Sequence, residues 1–221
     1  MTTRLNMIAQ ESAKILLETK SVLINAAQPF TYTSGKQGPV YVDIRRLISF
    51  PEARAKLMDF AAEILKDIPC DFVAGGETAG IPYAAFIAER LNKPMLYVRK
   101  KPKGFGRNAQ IEGAFEHDGE KVILIEDLQT DGGSKKVFVD ALREAGAQIE
   151  HAFVVFHYGN FPQSYQNMKD WGLTLHALTT WKDVIAVARG EKYFDTATLS
   201  SVEDFLSDPV AWQERRARSV S

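Results

Sequence analysis

The sequence predicts an α/β protein: a doubly wound, mainly parallel five-stranded sheet with helices on both faces, plus a small N-terminal lobe over roughly residues 1–48. Three observations carry this. From Asp71 onward, five short apolar runs recur, each continuous rather than alternating, as strands covered on both faces require. Helical segments lie between the runs, the alternation that builds a parallel sheet. The segment ahead of them is extended and broken by Pro and Gly, so it forms a lobe of its own. A chain of 221 residues suits one such domain and is ample for a sizeable core.

Taken in order, residues 6–20 place Ile8, Ile15 and Leu16 at helical spacing, with Ala9 and Ala13 filling in. Residues 28–48 set Pro29, Gly35, Gly38 and Pro39 among Thr31, Tyr32, Val40, Tyr41 and Val42. That mixture of turn formers and β formers reads as short strands joined by a turn. Ser49-Phe50-Pro51-Glu52 has the spacing of a capping box, and Ala53, Leu57, Phe60, Ala61, Ile64 and Ile68 then recur at steps of three and four. The five sheet strands are expected at 72–74, 95–98, 122–125, 152–156 and 173–175, with helices at 82–91, 134–145 and 162–170. Gly146 is placed to cap the second of these helices. The last eight residues, 214–221, with Arg215, Arg216 and Arg218, are expected to fray.

The 27 Lys and Arg against 28 Asp and Glu leave a formal charge of −1, which excludes a surface built throughout to attract nucleic acid or membrane. A hydrophobic share of 45% excludes a disordered chain. No apolar run approaches the roughly 18 residues of a membrane span, and none of signal-peptide type opens the chain. The single cysteine, Cys70, permits neither an internal disulfide nor a cysteine-built metal site. A cytoplasmic protein without nucleic-acid or membrane partners is expected. The average conceals a polarity, however. No acidic residue lies between Glu89 and Glu112, so Arg90, Lys93, Arg99, Lys100, Lys101, Lys103 and Arg107 give that stretch a charge of +7 while the rest of the chain sums to −8.

In an open α/β sheet, ligands bind beyond the carboxyl ends of the strands. After the run at 122–125 come Glu126 and Asp127, then Leu128, Gln129, Thr130, Asp131, Gly132, Gly133 and Ser134, leading into a helix. Small residues let the backbone approach an anion and aim N–H groups at it, and the helix start adds its positive end. The hydroxyls of Thr130 and Ser134 can donate as well. Such a loop suits a phosphate monoester, although it lacks the Gly-Lys-Ser/Thr of a Walker loop. Two carboxylates beside a phosphate cradle repel it unless something binds between them, such as sugar hydroxyls or a magnesium ion. The alternative is a solvated acid pair followed by a plain turn, and the order of strand, acid pair, glycine loop and helix weighs against it.

This order resembles the phosphoribosyl-diphosphate signature of the type I phosphoribosyltransferases. Residues 33–45, Thr-Ser-Gly-Lys-Gln-Gly-Pro-Val-Tyr-Val-Asp-Ile-Arg, resemble the N-terminal region of the orotate phosphoribosyltransferases, and the likeness runs from about Leu16 to about Ala186. The resemblance implies the type I phosphoribosyltransferase fold, a single domain over 1–221. Its core spans roughly 49–190, and its hood spans roughly 1–48 with C-terminal contributions. It implies transfer of a 5-phosphoribosyl group from phosphoribosyl diphosphate to orotate with Mg²⁺, in a homodimer. By the same resemblance, Glu126 and Asp127 hold the ribose, and Asp127 faces the positive charge that develops on the sugar. Leu128, Gln129, Thr130, Asp131, Gly132, Gly133 and Ser134 surround the 5′-phosphate, with Asp131 capping the following helix. Thr78 and Ala79 lie in the diphosphate loop, while Thr33, Tyr41 and Val42 lie at the base. Arg99, Lys100 and Lys103, with Phe105, form a mobile catalytic loop that closes over the leaving diphosphate, commonly in the neighbouring subunit's site.

Thr33, Ala79 and the stretch Phe156-His157-Tyr158-Gly159 stand where relatives often have Lys, Lys and Asp-Arg. A transferase for another base therefore remains an alternative. So does a non-catalytic regulator that senses phosphoribosyl diphosphate and binds nucleic acid.

Overall fold

In the computed structural model, which describes residues 2–32, 35–104, 110–133 and 135–220, the predicted strands assemble into one six-stranded sheet. The chain begins with α1 (Thr2–Glu18), then β1 (Val22–Ile24), β2 (Phe30–Thr31), β3 (Gln37–Gly38), β4 (Val40–Val42) and a 3₁₀ helix (Ile44–Ser49). The core follows: α2 (Pro51–Leu65), β5 (Phe72–Gly76), α3 (Gly80–Leu91), β6 (Met95–Val98), β7 (Ile111–Glu112), β8 (Lys121–Gln129), α4 (Lys135–Glu144), β9 (Gln148–His157), α5 (Pro162–Asp170), β10 (Thr174–Thr180) and α6 (Trp181–Gly190). Two helices close the chain, α7 (Thr196–Ser207) and α8 (Pro209–Val220).

The strand order is β10-β9-β8-β5-β6-β7, parallel except at β7, so the sheet has one strand more than the five expected. That sixth strand pairs Tyr97 with Glu112 and Val98 with Ile111. Two residues at an edge need no apolar run, which is why periodicity gives no sign of it. Register brings Ile125 beside Gly75, Glu126 beside Val154 and Gln129 beside His157. The carboxyl ends of β5, β8 and β9 therefore meet at one rim.

Along β8, alternate side chains enter two separate cores, as strand geometry requires. Ile123 and Ile125 join the cluster beneath α1, α2, α3 and α6, while Val122 and Leu124 join the cluster beneath α4 and α5. Burying each of these four is worth about 1.5–3 kcal/mol, so the strand is anchored firmly enough to carry charged groups at its end. The helix α1 packs mainly on α6 and β10, with a smaller contact to β1.

The helix ends show which local signals prevail. The capping box expected at Ser49 does not form: Ser49 closes the 3₁₀ helix, Phe50 is the N-cap without a side-chain bond, and Pro51 opens α2. A residue before proline is driven out of the helical region, which places the cap at Phe50. At α6 the third-position carboxylate does reach back to the cap: the Thr180 N–H and hydroxyl both donate to Asp183 Oδ2. Gly146, at φ 98°, ends α4 as expected. Its N–H donates to Arg143 O and that of Ala147 to Leu142 O, the double bond of a Schellman cap.

The small strands pair as β1 with β4 and β2 with β3, both antiparallel. The C-terminal helix packs against them, and Arg216 of the stretch expected to fray takes part. Trp212 is buried on Phe205, Gln213 donates to Gln37 O at 2.8 Å, and Arg216 donates to Ala27 O at 3.0 Å. No helix among the described residues is long and apolar enough to cross a membrane.

Candidate active site

Glu126 and Asp127 are consecutive on β8, so their side chains leave on opposite faces of the sheet. Glu126 turns toward α4, where the ammonium of Lys135 donates to its Oε2. Asp127 turns toward the 3₁₀ helix, with Arg45 Nε 3.7 Å from its Oδ2. Arg45 is placed there by its neighbours: Ile44 and Leu47 are buried, and the Tyr83 hydroxyl of α3 donates to Ile44 O at 2.5 Å. Burial pushes the Asp127 carboxyl above the ordinary aspartate range, and the Leu128 backbone N–H and the Arg45 charge draw it back. The two acids thus have separate partners and separate surroundings.

Beyond them the glycine loop is tied down from below. Asn167 of α5 donates to Asp131 O at 2.9 Å, and Lys135 N–H donates to Gly132 O at 3.0 Å. Among the described residues, the Asp131 carboxylate bonds the loop and no N–H of α4. Its Oδ1 accepts from the Gly133 N–H at 3.2 Å, a turn two residues long that keeps the carboxylate inside the loop's own backbone. Gln129 is buried and donates to Ser164 Oγ at 2.7 Å, which in turn lies 2.9 Å from His157 Nε2. Burial, aided by the Lys135 charge, holds His157 below the usual imidazole range. His157 therefore belongs to the support of the loop.

The acid pair and part of the glycine loop border a cleft of about 230 Å³. Thr78 and Ala79 form one wall, and Glu126, Asp127, Leu128, Gln129, Thr130 and Gly132 form another. Lys100 and Arg45 contribute cations to its rim. Glu77, also at the cleft, spends its carboxylate on the Lys100 backbone, whose N–H donates to Oε2 at 2.7 Å. That bond fastens the start of the basic stretch to the loop after β5.

Other expected site residues lie elsewhere. Lys103 forms an ion pair with Glu112, and Arg99 lies 3.5 Å from the same carboxylate, so neither lines the cleft. The Lys103 hydrogen bond is the main reason that Glu112 is held below the ordinary glutamate range. Tyr41 is exposed on β4, packed beside Phe30 with ring centroids 5.7 Å apart, and neither it nor Val42 reaches the cleft walls. Gly133 and Asp131 also stand off the walls. Thr33, Phe105 and Ser134 fall outside the described residues.

Sequence reasoning assigned no role to Arg45 or Lys135. Arg45 stood within the segment 33–45 as its final residue. Lys135 was visible as a lysine at the first position of a Lys135, Phe138, Val139, Leu142 stripe, the buried face of α4.

Acid pair, glycine loop and helix start gathered at the carboxyl edge of a parallel sheet define an α/β protein that takes a phosphorylated sugar. Residues 46–188 match the family model of the phosphoribosyl transferase domain. A curated relative from Roseobacter denitrificans, named orotate phosphoribosyltransferase, is 54% identical over 211 residues, covering 94% of this chain and 93% of its own. Another of that name, from Agrobacterium fabrum, is 52% identical over 213 residues, covering 95% and 91%. The crystal structure of orotate phosphoribosyltransferase from Aeropyrum pernix superposes with a TM-score of 0.68 at 29% identity, over 83% of this chain and 99% of that one. The chain belongs to the phosphoribosyl transferase family, on its orotate phosphoribosyltransferase branch.

Proposed function

We infer that this chain transfers the 5-phosphoribosyl group from phosphoribosyl diphosphate to orotate, forming orotidine 5′-monophosphate and diphosphate in pyrimidine nucleotide biosynthesis. The observation that carries this reading is the cleft itself. One wall offers the acid pair and the glycine loop to a ribose phosphate, and the cationic rim offers Arg45 and Lys100 to a diphosphate.

The bond from ribose C1 to the diphosphate oxygen breaks as C1 bonds to a ring nitrogen of the base, whose proton passes to water. Negative charge grows on the leaving group and positive charge on the sugar. Positioning and electrostatic stabilisation are therefore what the protein must supply, and no side chain need act as nucleophile. Glu126 and Asp127 hold the ribose hydroxyls, and Asp127 also faces the developing cationic sugar. Thr130 to Ser134 cradle the 5′-phosphate, while Thr78 and Ala79 meet the diphosphate. Arg99, Lys100 and Lys103 neutralise the leaving group. Tyr41, Val42 and Thr33 are assigned to the base, and Phe105 to the basic loop. A closed basic loop would keep water from the activated sugar.

Mg²⁺ fits here as the companion of the diphosphate. Among the described residues no group of three or more His, Cys, Asp or Glu is placed to hold a metal ion. Magnesium commonly sits on one or two carboxylates plus substrate phosphates, and the cleft offers Glu77, Glu126 and Asp127.

We assign the chain to a single domain and a cytoplasmic homodimer, with the basic stretch serving the partner's cleft. Support for the last point comes from Lys103, which stands off its own cleft. The bonds from Gln213 and Arg216 to residues 26–37 favour a hood completed by the C-terminal helices.

The test is turnover with phosphoribosyl diphosphate and Mg²⁺ against a panel of bases, following diphosphate release. Orotate is expected to react. Release with another base and none with orotate would move the enzyme to a different substrate. Release with no base would leave a sensor.

A further inference from the structure

Lys135 is 1% exposed, in the first turn of α4 just after the glycine loop, with apolar Phe138, Val139 and Leu142 on the same face. Lysine is almost never fully buried unless paired, and here the pair is with Glu126. Two further observations show that this pair is built into the site. Gly76, at the end of β5, lacks a side chain where one would meet the Phe138 ring at 2.8 Å and Glu126 Cγ at 3.2 Å. Glycine at this position thus leaves room for both the Phe138 ring and the stem of Glu126. The backbone N–H of Lys135 also holds Gly132 O, so one residue fastens both the acid and the loop.

The charges at the cleft make a cation in this position useful. Glu77, Glu126 and Asp127 line it, against Arg45 and Lys100. Carboxylates would outnumber cations at a site read as holding a polyanion. Lys135 restores the balance from beneath the loop, where the low dielectric lets a fixed charge act strongly.

We propose that Lys135 is a positioning residue for the sugar-phosphate end of the substrate. Its ammonium fixes the Glu126 carboxylate in one orientation, leaving the second oxygen for a ribose hydroxyl. This rests on reading the cleft as the phosphoribosyl diphosphate site.

Steady-state kinetics of Lys135→Met, Glu126→Gln and the double variant, each checked for folding by thermal melting, test the assignment. Lys135→Met is expected to raise KM for phosphoribosyl diphosphate on the order of 10- to 100-fold, the scale that follows from misplacing a binding group. KM for orotate stays at the wild-type value. The double variant is expected to match Glu126→Gln, because Lys135 then has no carboxylate to hold. A Lys135→Met protein that melts earlier yet keeps its KM for phosphoribosyl diphosphate would reduce Lys135 to packing. Losses that multiply in the double variant would overturn action through Glu126. Should Lys135→Met fail to fold because it strands the Glu126 carboxylate, the double variant, in which neither charge remains, is compared with Glu126→Gln, and a further rise of KM in the double variant would overturn action through Glu126. A wild-type enzyme inert toward orotate would instead fail the functional reading.

Discussion

Glu126 and Lys103 each meet a charged partner in the same chain, yet the Lys135 side chain that holds Glu126 is 1% exposed and that of Lys103 is 46% exposed. The cradle and the basic stretch are thus held in opposite ways. Around the cradle, side chains from α4, α5 and the 3₁₀ helix commit each acid and each turn to a dedicated partner, and the Lys135–Glu126 and Gln129–Ser164 contacts are buried. In the basic stretch, Lys103 and Arg99 share the single carboxylate Glu112 at the surface, in an arrangement that solvent and salt can dissolve. Buried pairs lose stability severely when one partner goes, whereas exposed pairs contribute little. The difference separates a part that must be ready before substrate arrives from a part whose cations exchange their protein partner for the diphosphate.

Removing the exchanging cation is the strongest way to break this comparison. Lys103→Ala is expected to lower kcat on the order of 100-fold or more, the cost of deleting one group that stabilises transition-state charge. Its melting temperature should stay unchanged, because the pair that it loses is exposed. Mixing this variant with Asp127→Asn subunits sharpens the test. If the stretch serves the partner's cleft, mixed dimers regain part of the turnover, since one of their clefts meets intact partners from both chains. Near-normal turnover by Lys103→Ala would remove Lys103 from the mechanism, and mixtures no more active than their components would confine the loop to its own subunit.

Asp127→Asn probes the preorganised side and should show the cost of holding an acid there. Loss of a charge-assisted bond to the ribose is expected to raise KM for phosphoribosyl diphosphate about 10- to 100-fold. Stability should move the other way. Burial raises this carboxyl in the folded chain, so its contribution is present below the unfolded value of about 3.9 and is lost as pH rises through the folded value. At pH 7 the variant should therefore melt higher than wild type, and the gap should close as pH falls toward about 4. An unchanged KM would count against the ribose assignment. A lower melting point at pH 7 would mean that Arg45 outweighs the burial.

The same contrast explains what could be read from the chain. Strands at 122–125 and 152–156 were legible because a strand covered on both faces must be apolar throughout, and the acid pair stood out by ending such a run. Strand β7 left no mark, since two edge residues obey no periodicity. The capping box at Ser49 misled because Pro51 acts one residue later and more strongly. Asp131 was a candidate helix cap by residue type, but only the turn geometry shows it bonding Gly133. Arg45 and Lys135 act through space, on acids 82 and nine positions away, and spacing along the chain does not encode those meetings. The basic stretch was plain as a charge block, while its docking on Glu112 came only with the fold.

Glu112→Gln is the gentlest perturbation and the most direct on the exchanging side. It frees Lys103 and Arg99 without touching the cleft. If Glu112 merely parks these cations, its removal deletes a competitor of the diphosphate. KM for phosphoribosyl diphosphate should then fall, by no more than about fivefold given how little an exposed pair contributes. The effect should shrink as salt is added, because screening already weakens the wild-type pair. The melting temperature should hardly change. A fall in kcat of tenfold or more would instead place Glu112 within the working site, and a KM indifferent to both the substitution and the salt would show that the Lys103 pair does not restrain the loop. Either result would erase the distinction between a fixed cradle and an exchangeable lid, because the lid's resting contact would then be catalytic or irrelevant.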